Sequence, residues 1–204
     1  MLIKICGITK EEEIRDINEL KPDYIGFVFT ESKRHVDVNK AKKLYKELNK
    51  GIRTVGVFRN NDEEFILNVL KEIPLDVVQL HGDEDSDFIL SLKDKVTCDI
   101  WKAINVTKLE DIKEAYNYPV NNILLDGASP GDGKVFDWNL LKGLSINKRL
   151  ILAGGINEEN IKEGIKNVRP DIVDTSSGVE VIENGVRRKS KYKMKNIISK
   201  VREF

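Results

Sequence analysis

The 204-residue sequence contains little that would indicate a disulfide framework, a metal site or a nucleic-acid surface. It has only two cysteines, Cys6 and Cys98, and two histidines, with none of the paired spacing typical of zinc sites. Its 34 basic and 34 acidic residues cancel, so no excess of positive charge is available to attract nucleic acids or anionic membranes. We therefore expect no bound metal, no nucleic-acid partner and no membrane partner.

Long apolar runs are also missing. No segment approaches the roughly 20 apolar residues that a membrane-spanning helix needs. The first residues already form a short apolar run suited to a β-strand, which leaves no room for a cleaved secretion signal. We expect a soluble, cytoplasmic protein in which residues 1–204 form one domain, because no linker or low-complexity segment divides the chain.

What the sequence does contain is a repeated alternation of strand-like and helix-like segments. Continuous apolar runs such as residues 24–29 are typical of strands buried on both faces, and amphipathic segments such as residues 11–20 are typical of surface helices. Eight such units, each about 25 residues long, predict a (β/α)8 TIM barrel, whereas an open doubly wound sheet would stop at five or six strands. Asn157 and Ser190 are expected to cap the last two helices.

The first strand ends at Cys6, just before a predicted helix. Thr9 is expected to cap that helix, with Glu12 as its capping-box partner. A helix start stabilises a nearby thiolate, so Cys6 could serve as a base or a nucleophile. The alternative is simple packing, because free cysteines are often buried in protein cores. Packing in the core is also the preferred interpretation for Cys98, which is expected to lie away from the end of the barrel that carries the active site.

Active sites of (β/α)8 barrels lie at the carboxyl ends of the strands, which draws attention to Asp126 at the end of the sixth strand. Partial burial there would favour the protonated carboxyl and suit it to act as a general acid. Alternatively, N–H groups of the next loop hold it as a carboxylate. The glycine-rich residues 127–134 that follow could close over a ligand or form an ordinary connection.

The loops after strands seven and eight predict a phosphate site. Gly154 and Gly155 form a turn with exposed N–H groups, and Ser177 and Gly178 follow the last strand. Barrel enzymes often bind phosphate between these two loops, with a short helix directing its N-terminus at the anion. The glycine pair could also serve only to relieve crowding.

Two further polar residues are expected at the rim. Arg34, after the second strand, could clamp a substrate carboxylate in a bidentate contact, although most loop arginines are only solvated. His81, after the fourth strand, could orient a substrate or fill a purely structural role.

Six segments, taken together and in order, resemble the phosphoribosylanthranilate isomerase family. They are KICGIT at residues 4–9, QLHG at 79–82, LLDG at 124–127, GKVFDW at 133–138, LAGGI at 152–156 and DTSSGVE at 174–180. The resemblance spans the chain from the first strand to the last loop. It implies an isomerase of tryptophan biosynthesis that binds a small phosphoribosyl substrate and uses neither metal nor organic cofactor. The sequence does not set the oligomeric state beyond a monomer or a homodimer.

The resemblance also implies roles for individual residues. Asp126 would be the general acid that opens the ribose ring, and Cys6 the general base that removes the C2′ proton. Arg34 would hold the anthranilate carboxylate. The phosphate would be held by the backbones of Gly154, Gly155, Ser177 and Gly178.

Three departures from the family pattern stand out. Lys33 replaces the usual proline of Ser-Pro-Arg, so the loop presenting Arg34 should be less rigid. Asp132 replaces a threonine and is expected to point outward from an anionic substrate. Ser190 replaces aspartate before the last helix and should still cap it. The alternatives are another phosphosugar aminoaldose isomerase, which would use two strand-end aspartates, and a barrel that binds a phosphosugar without catalysis.

Overall fold

Eight parallel strands pair side by side in chain order, and the first pairs with the eighth to close a barrel. This computed structural model describes residues 1–127, 135–144 and 146–204. The strands are β1 (Leu2–Cys6), β2 (Tyr24–Val28), β3 (Arg53–Phe58), β4 (Val77–Leu80), β5 (Asp99–Val106), β6 (Asn122–Gly127), β7 (Arg149–Leu152) and β8 (Ile172–Thr175). The predicted (β/α)8 barrel is confirmed.

Amphipathic helices cover the outside of the barrel. They are α1 (Glu11–Leu20), α2 (Val38–Lys46), α3 (Glu63–Glu72), α4 (Ser86–Lys93), α5 (Leu109–Glu114), α6 (Ile161–Val168) and α7 (Lys191–Arg202). In the described residues between β6 and β7, a short 3-10 helix, Trp138–Leu141, begins after Asp137, which accepts a hydrogen bond from the Asn139 N–H. No helix in the described ranges is long and apolar enough to cross a membrane.

The starts of two helices differ from the sequence prediction. Helix α1 spans the predicted residues 11–20, but its N-cap is one residue later than expected, and Glu13 rather than Glu12 accepts hydrogen bonds from the Thr9 and Lys10 N–H groups at 2.7 and 3.0 Å. A carboxylate three residues after the N-cap can fold back onto these amides, and Lys10 holds that N-cap position. Asn157 caps a turn ahead of α6, accepting from the Asn160 N–H at 3.2 Å, rather than the helix itself. Ser190 caps α7 as predicted.

Strand alternation divides the side chains into two layers. Outward-facing residues such as Ile3, Ile5 and Phe27 join the main core beneath the helices. Inward-facing residues form a second, smaller apolar cluster that includes Tyr24, Trp101 and Leu124. The barrel interior is therefore filled by packed side chains, most of them apolar, and does not form a pore.

An antiparallel hairpin between β8 and α7 lies outside the eight predicted units. Its strands are β9 (Glu180–Glu183) and β10 (Val186–Lys189), joined by Asn184 and Gly185 at φ 50° and 75°. Asn-Gly suits a tight hairpin turn because both residues tolerate positive φ. The hairpin brings Glu180 opposite Lys189, at the edge of the barrel mouth.

Candidate active site

A cavity of about 440 Å³ opens at the carboxyl ends of the strands. Seven of the eight residues predicted from the sequence line it: Cys6, Arg34, His81, Asp126, Gly154, Gly155 and Ser177. The cavity is thus where the barrel architecture predicts an active site. The eighth residue, Gly178, lies beside it, against the loop after β7.

Cys6 lies inside the barrel mouth and is 8% exposed. Its neighbour across the strand pair is Gly26, and a Cβ atom at that glycine would come within 2.7 Å of the Cys6 sulfur. The sulfur therefore occupies space that exists because residue 26 has no side chain. The backbone beneath it is fixed as well, since the Ser176 hydroxyl donates to the Cys6 carbonyl at 3.0 Å.

The electrostatic surroundings of Cys6 differ from the sequence expectation of a stabilised thiolate. Burial raises the pKa of the Cys6 thiol, and this effect outweighs the neighbouring cations. Lys4 and Lys189 act in the opposite direction, whereas the carboxylate of Asp174 adds to the rise. In the described structure the thiol is therefore favoured over the thiolate.

Two charged residues at the cavity were not singled out from the sequence: Asp174 lines it, and Lys4 lies beneath it. Lys4 is fully buried inside the barrel, and its Nζ lies 2.7 Å from Oδ2 of Asp174 on the adjacent strand β8. The second carboxylate oxygen of Asp174, Oδ1, is buried and receives no hydrogen bond from the described residues. The sequence did contain a signal for Lys4. Side chains alternate along a strand, so residues 4 and 6 of β1 face the same side of the sheet.

Asp126 contacts a backbone amide and the imidazole of His81. Its Oδ1 accepts a hydrogen bond at 2.8 Å from the N–H of Gly127, the last residue of β6. His81 Nε2 lies 3.2 Å from Oδ2 but is not aligned for a hydrogen bond, so this contact is electrostatic. The other ring nitrogen of His81 lies 2.9 Å from the Gln79 amide nitrogen, which fixes the orientation of the imidazole ring.

Gly154 packs directly against this carboxyl group. Its φ is 79°, and a Cβ atom there would come within 2.4 Å of the Gly127 nitrogen and 2.7 Å of Asp126 Oδ1. Both features demand glycine, so relief of crowding is a real function of this residue. Gly155 also has a positive φ, 67°, and completes the turn.

The loops after β7 and β8 form one continuous rim. The Thr175 hydroxyl donates to the Ile156 carbonyl at 2.7 Å, and a Cβ atom at Gly178 would come within 2.0 Å of that same oxygen. Ser177 opens a short 3-10 helix, Ser177–Val179, beside the cavity. The close approach of the two loops is what a shared phosphate site requires, and the phosphate role itself stays a prediction.

Arg34 is held by Glu180, a residue that sequence reasoning did not single out. Their bidentate contact joins Nε to Oε1 at 2.6 Å and Nη2 to Oε2 at 2.9 Å. Glu180 also contacts Arg187 at 2.7 Å and Lys189 at 2.9 Å. Burial opposes ionisation of Glu180, but these three cations lower its pKa to about 2.

The Arg34 loop is therefore held more firmly than its missing proline suggested. The hydrocarbon part of the side chain lies over Gly7, where a Cβ atom would come within 2.5 Å of the Arg34 Cδ. The third guanidinium nitrogen, Nη1, takes no part in the bidentate pair with Glu180. One edge of the guanidinium is fixed, while the side chain still lines the cavity.

Three other expectations concern regions away from these contacts. Cys98 is only half-buried and packs at the edge of the outer core. The proposed closing segment 128–134, which includes Asp132, lies outside the described residues. In the ranges 1–127, 135–144 and 146–204, no group of three or more His, Cys, Asp or Glu side chains is arranged to hold a metal ion.

A closed parallel barrel that gathers a thiol, a carboxyl group and an arginine around one cavity at its carboxyl rim has the organisation of a (β/α)8-barrel enzyme. The sequence model of the family described as N-(5'phosphoribosyl)anthranilate (PRA) isomerase matches residues 3–200. The chain belongs to this family. The resemblance seen in the sequence is confirmed, and with it the prediction of an isomerase.

Individual relatives match over nearly their whole length. An N-(5'-phosphoribosyl)anthranilate isomerase from Clostridium beijerinckii is 45% identical, covering 98% of this chain and 96% of its own. A structure of monomers generated from the dimeric enzyme of Thermotoga maritima has a TM-score of 0.88 and 37% identity, covering both chains completely. A family structure in complex with reduced 1-(o-carboxyphenylamino)-1-deoxyribulose 5-phosphate has a TM-score of 0.88 and 36% identity, again covering both chains completely.

Proposed function

We propose that this protein converts N-(5-phosphoribosyl)anthranilate into 1-(o-carboxyphenylamino)-1-deoxyribulose 5-phosphate in tryptophan biosynthesis. The observation that carries the proposal is the cavity in which Cys6 on β1 and Asp126 on β6 both open onto the space between the rim loops. Family membership supports it, as does the similar structure that holds the reduced form of this product. The cavity volume is within the range of small-molecule sites.

Asp126 acts first, as the general acid. It gives its proton to the ribose ring oxygen, and the C1′–O bond breaks to leave an open-chain iminium ion. The carboxylate that remains accepts the Gly127 N–H and lies 3.2 Å from His81 Nε2. Both neighbours stabilise the negative charge that develops during proton transfer, which lowers the barrier to ring opening.

Cys6 acts second, as the general base. The Cys6 thiol first loses its proton to solvent, and the thiolate then removes the C2′ proton. The electron pair of the broken C–H bond neutralises the iminium to give an enolamine. Tautomerisation of the enolamine then yields the ketone, and transfer of a proton from the Cys6 thiol to the Asp126 carboxylate through solvent restores the thiolate and the carboxylic acid. The buried position of Cys6 keeps water from its sulfur, so a thiolate formed here is a stronger base than one in solvent.

The two ends of the substrate are held away from the reacting carbons. The rim formed by Gly154, Gly155, Ser177 and Gly178 binds the phosphate through its backbone. Arg34 binds the anthranilate carboxylate through the part of its guanidinium that Glu180 leaves available. Contacts at both ends fix the orientation of the sugar between acid and base.

The test follows the fluorescence of freshly prepared phosphoribosylanthranilate after addition of purified protein. We expect consumption by the wild type and a loss of about 10²- to 10⁴-fold in kcat for Cys6→Ser and for Asp126→Asn, the usual contribution of general acid–base catalysis. Cys98→Ser, which alters the other thiol, should match the wild type. An inactive wild type that still binds the substrate would contradict the proposal and direct attention to histidine-pathway aminoaldoses.

A further inference from the structure

We propose that Lys4 is a positioning residue that supplies the counter-charge for the Cys6 thiolate, and that Asp174 holds the Lys4 ammonium in place while limiting its effect. The inference rests on the proposed role of Cys6 as the base. Neither Lys4 nor Asp174 gives or takes a proton in the proposed reaction.

The geometry places the two side chains in one small space. Lys4 and Cys6 are two residues apart on β1, so both point into the barrel. A Cβ atom at Gly26 would come within 2.7 Å of the Cys6 sulfur and 3.3 Å of the Lys4 Cε. The end of the lysine chain and the sulfur therefore share the space that Gly26 leaves open.

Lys4 remains charged in this position. Burial by itself would lower its pKa, but the attraction of Asp174 and of Cys6 together raises it. A fully buried ammonium is costly unless it is paired, and the 2.7 Å contact with Asp174 provides that pair. The barrel interior thus keeps a permanent positive charge next to the thiol.

Four charged groups act on Cys6 from the surrounding elements. Lys4 on β1, Lys189 at the end of β10 and Arg34 after β2 favour the thiolate, and Asp174 on β8 disfavours it. Lys189 and Arg34 both contact Glu180, which offsets part of their charge. Lys4 is offset only by Asp174, whose other oxygen lacks a partner in the described chain. Lys4 and Asp174 should therefore move the protonation of Cys6 in opposite directions.

The test measures the rate of Cys6 alkylation by iodoacetamide against pH, in a Cys98→Ser background. Asp174→Asn should lower the alkylation pKa of Cys6. It removes a negative charge that disfavours the thiolate, and it leaves the positive charge of Lys4 beside the sulfur without its counter-ion. Adding Lys4→Met to Asp174→Asn should raise that pKa by about one unit or more, which is a tenfold slower reaction at a given pH below it. Lys4→Met alone should also raise it, because it removes the cation next to the sulfur.

The matched control is Lys102→Met, which removes another fully buried lysine, one paired with Glu84 on the opposite side of the barrel. Lys102→Met should leave the pH dependence of Cys6 alkylation unchanged. Equal shifts in the control and the Lys4 variants, or an Asp174→Asn profile that rises or stays unchanged, would overturn the inference. Thermal melting identifies any variant that fails to fold. If the Lys4 variants do not fold, the shift measured for Asp174→Asn alone tests the inference. Alkylation needs no turnover, so this result is independent of the proposed reaction.

Discussion

The two proposed proton-transfer groups line the same cavity, but their surroundings differ in kind. Cys6 lies among full charges contributed by β1, β8, β10 and the loop after β2. Asp126 lies against one backbone N–H at 2.8 Å, the backbone of Gly154 and the imidazole of His81, whose Nε2 is 3.2 Å from Oδ2. The base is therefore controlled by the balance of charges, and the acid by close packing. Substitutions that change charge should therefore have their main effect at Cys6, and substitutions that change side-chain volume should have theirs at Asp126.

Among substitutions that keep both catalytic side chains, the largest effect is expected from Gly154→Ala on the acid side. The added methyl group cannot coexist with Gly127 and Asp126 as they now lie, and the positive φ adds backbone strain. We expect kcat/KM to fall about 100-fold, because displacement of a catalytic group by about 1 Å has that consequence. Steady-state kinetics and a melting curve would measure activity and folding separately.

Gly143→Ala is the matched control for this variant. Gly143 has a similar φ of 75°, but nothing lies within 4 Å of the position its Cβ would take. It should show the cost of positive φ, about 1–2 kcal/mol, without the loss of activity. Equal losses of activity in the two variants would mean that crowding at Asp126 is unimportant.

A smaller effect is expected from Gly26→Ala on the base side. The new methyl group would meet the Cys6 sulfur at 2.7 Å, and a single side chain can move further than backbone can. We expect about a tenfold loss of kcat, by the same argument from displaced groups, together with altered alkylation of Cys6. Unchanged kinetics and unchanged alkylation would contradict the account of how the sulfur is positioned.

Glu180→Gln should change the acid stability of the protein. The folded-state pKa of Glu180 is about 2, below its ordinary value of 4.5, so ionised Glu180 stabilises the fold above pH 4.5. That contribution is lost as the pH falls from 4.5 towards 2. The melting temperature of the wild type should therefore fall more steeply over this interval than that of Glu180→Gln.

Glu183→Gln on the same hairpin provides the comparison, because Glu183 is exposed and its bidentate partner is Arg188 alone. Its melting profile should stay close to that of the wild type, as is usual for exposed ion pairs. Glu180→Gln should also raise KM, since Arg34 loses its fixed edge. If the melting temperature of Glu180→Gln followed that of the wild type at every pH, the lowered pKa of Glu180 would be contradicted.

The smallest effect is expected from Lys33→Pro, which restores the proline usual in the family. A proline at this position would stiffen the loop in the unfolded and folded states alike. Because Glu180 and the packing over Gly7 already hold Arg34, we expect KM to change by less than about threefold. A large improvement in KM would show that the loop, and not Glu180, limits carboxylate binding.

Patterns along the chain were sufficient to predict the barrel and most of the cavity lining. Apolar runs and helical periodicity are local properties, and strand ends in a parallel barrel converge on one rim whatever the loops do. Cys6, Asp126 and Gly154 were therefore identifiable from position alone. The position of the α1 cap was wrong by one residue because Glu12 and Glu13 are both acidic, and only the backbone geometry selects between them.

What sequence reasoning missed depends on contacts between distant segments. Glu180 is 146 residues from Arg34, and Lys4 is 170 residues from Asp174, so no local pattern joins them. The raised pKa of Cys6 follows from its burial inside the barrel, which outweighs the helix start that the sequence made visible. The turn of the hairpin could be recognised in the sequence from Asn184 and Gly185. That the hairpin gathers charged side chains around Glu180 could not be recognised there.

The most direct test of the contrast between the two regions compares two isosteric changes, Asp174→Asn and Asp126→Asn, each in the Cys98→Ser background. The measurement is the pH dependence of Cys6 alkylation by iodoacetamide. We predict that Asp174→Asn lowers the alkylation pKa of Cys6, whereas Asp126→Asn leaves it unchanged. Equal shifts in the two variants would show that acid and base share one electrostatic environment, and would contradict the account.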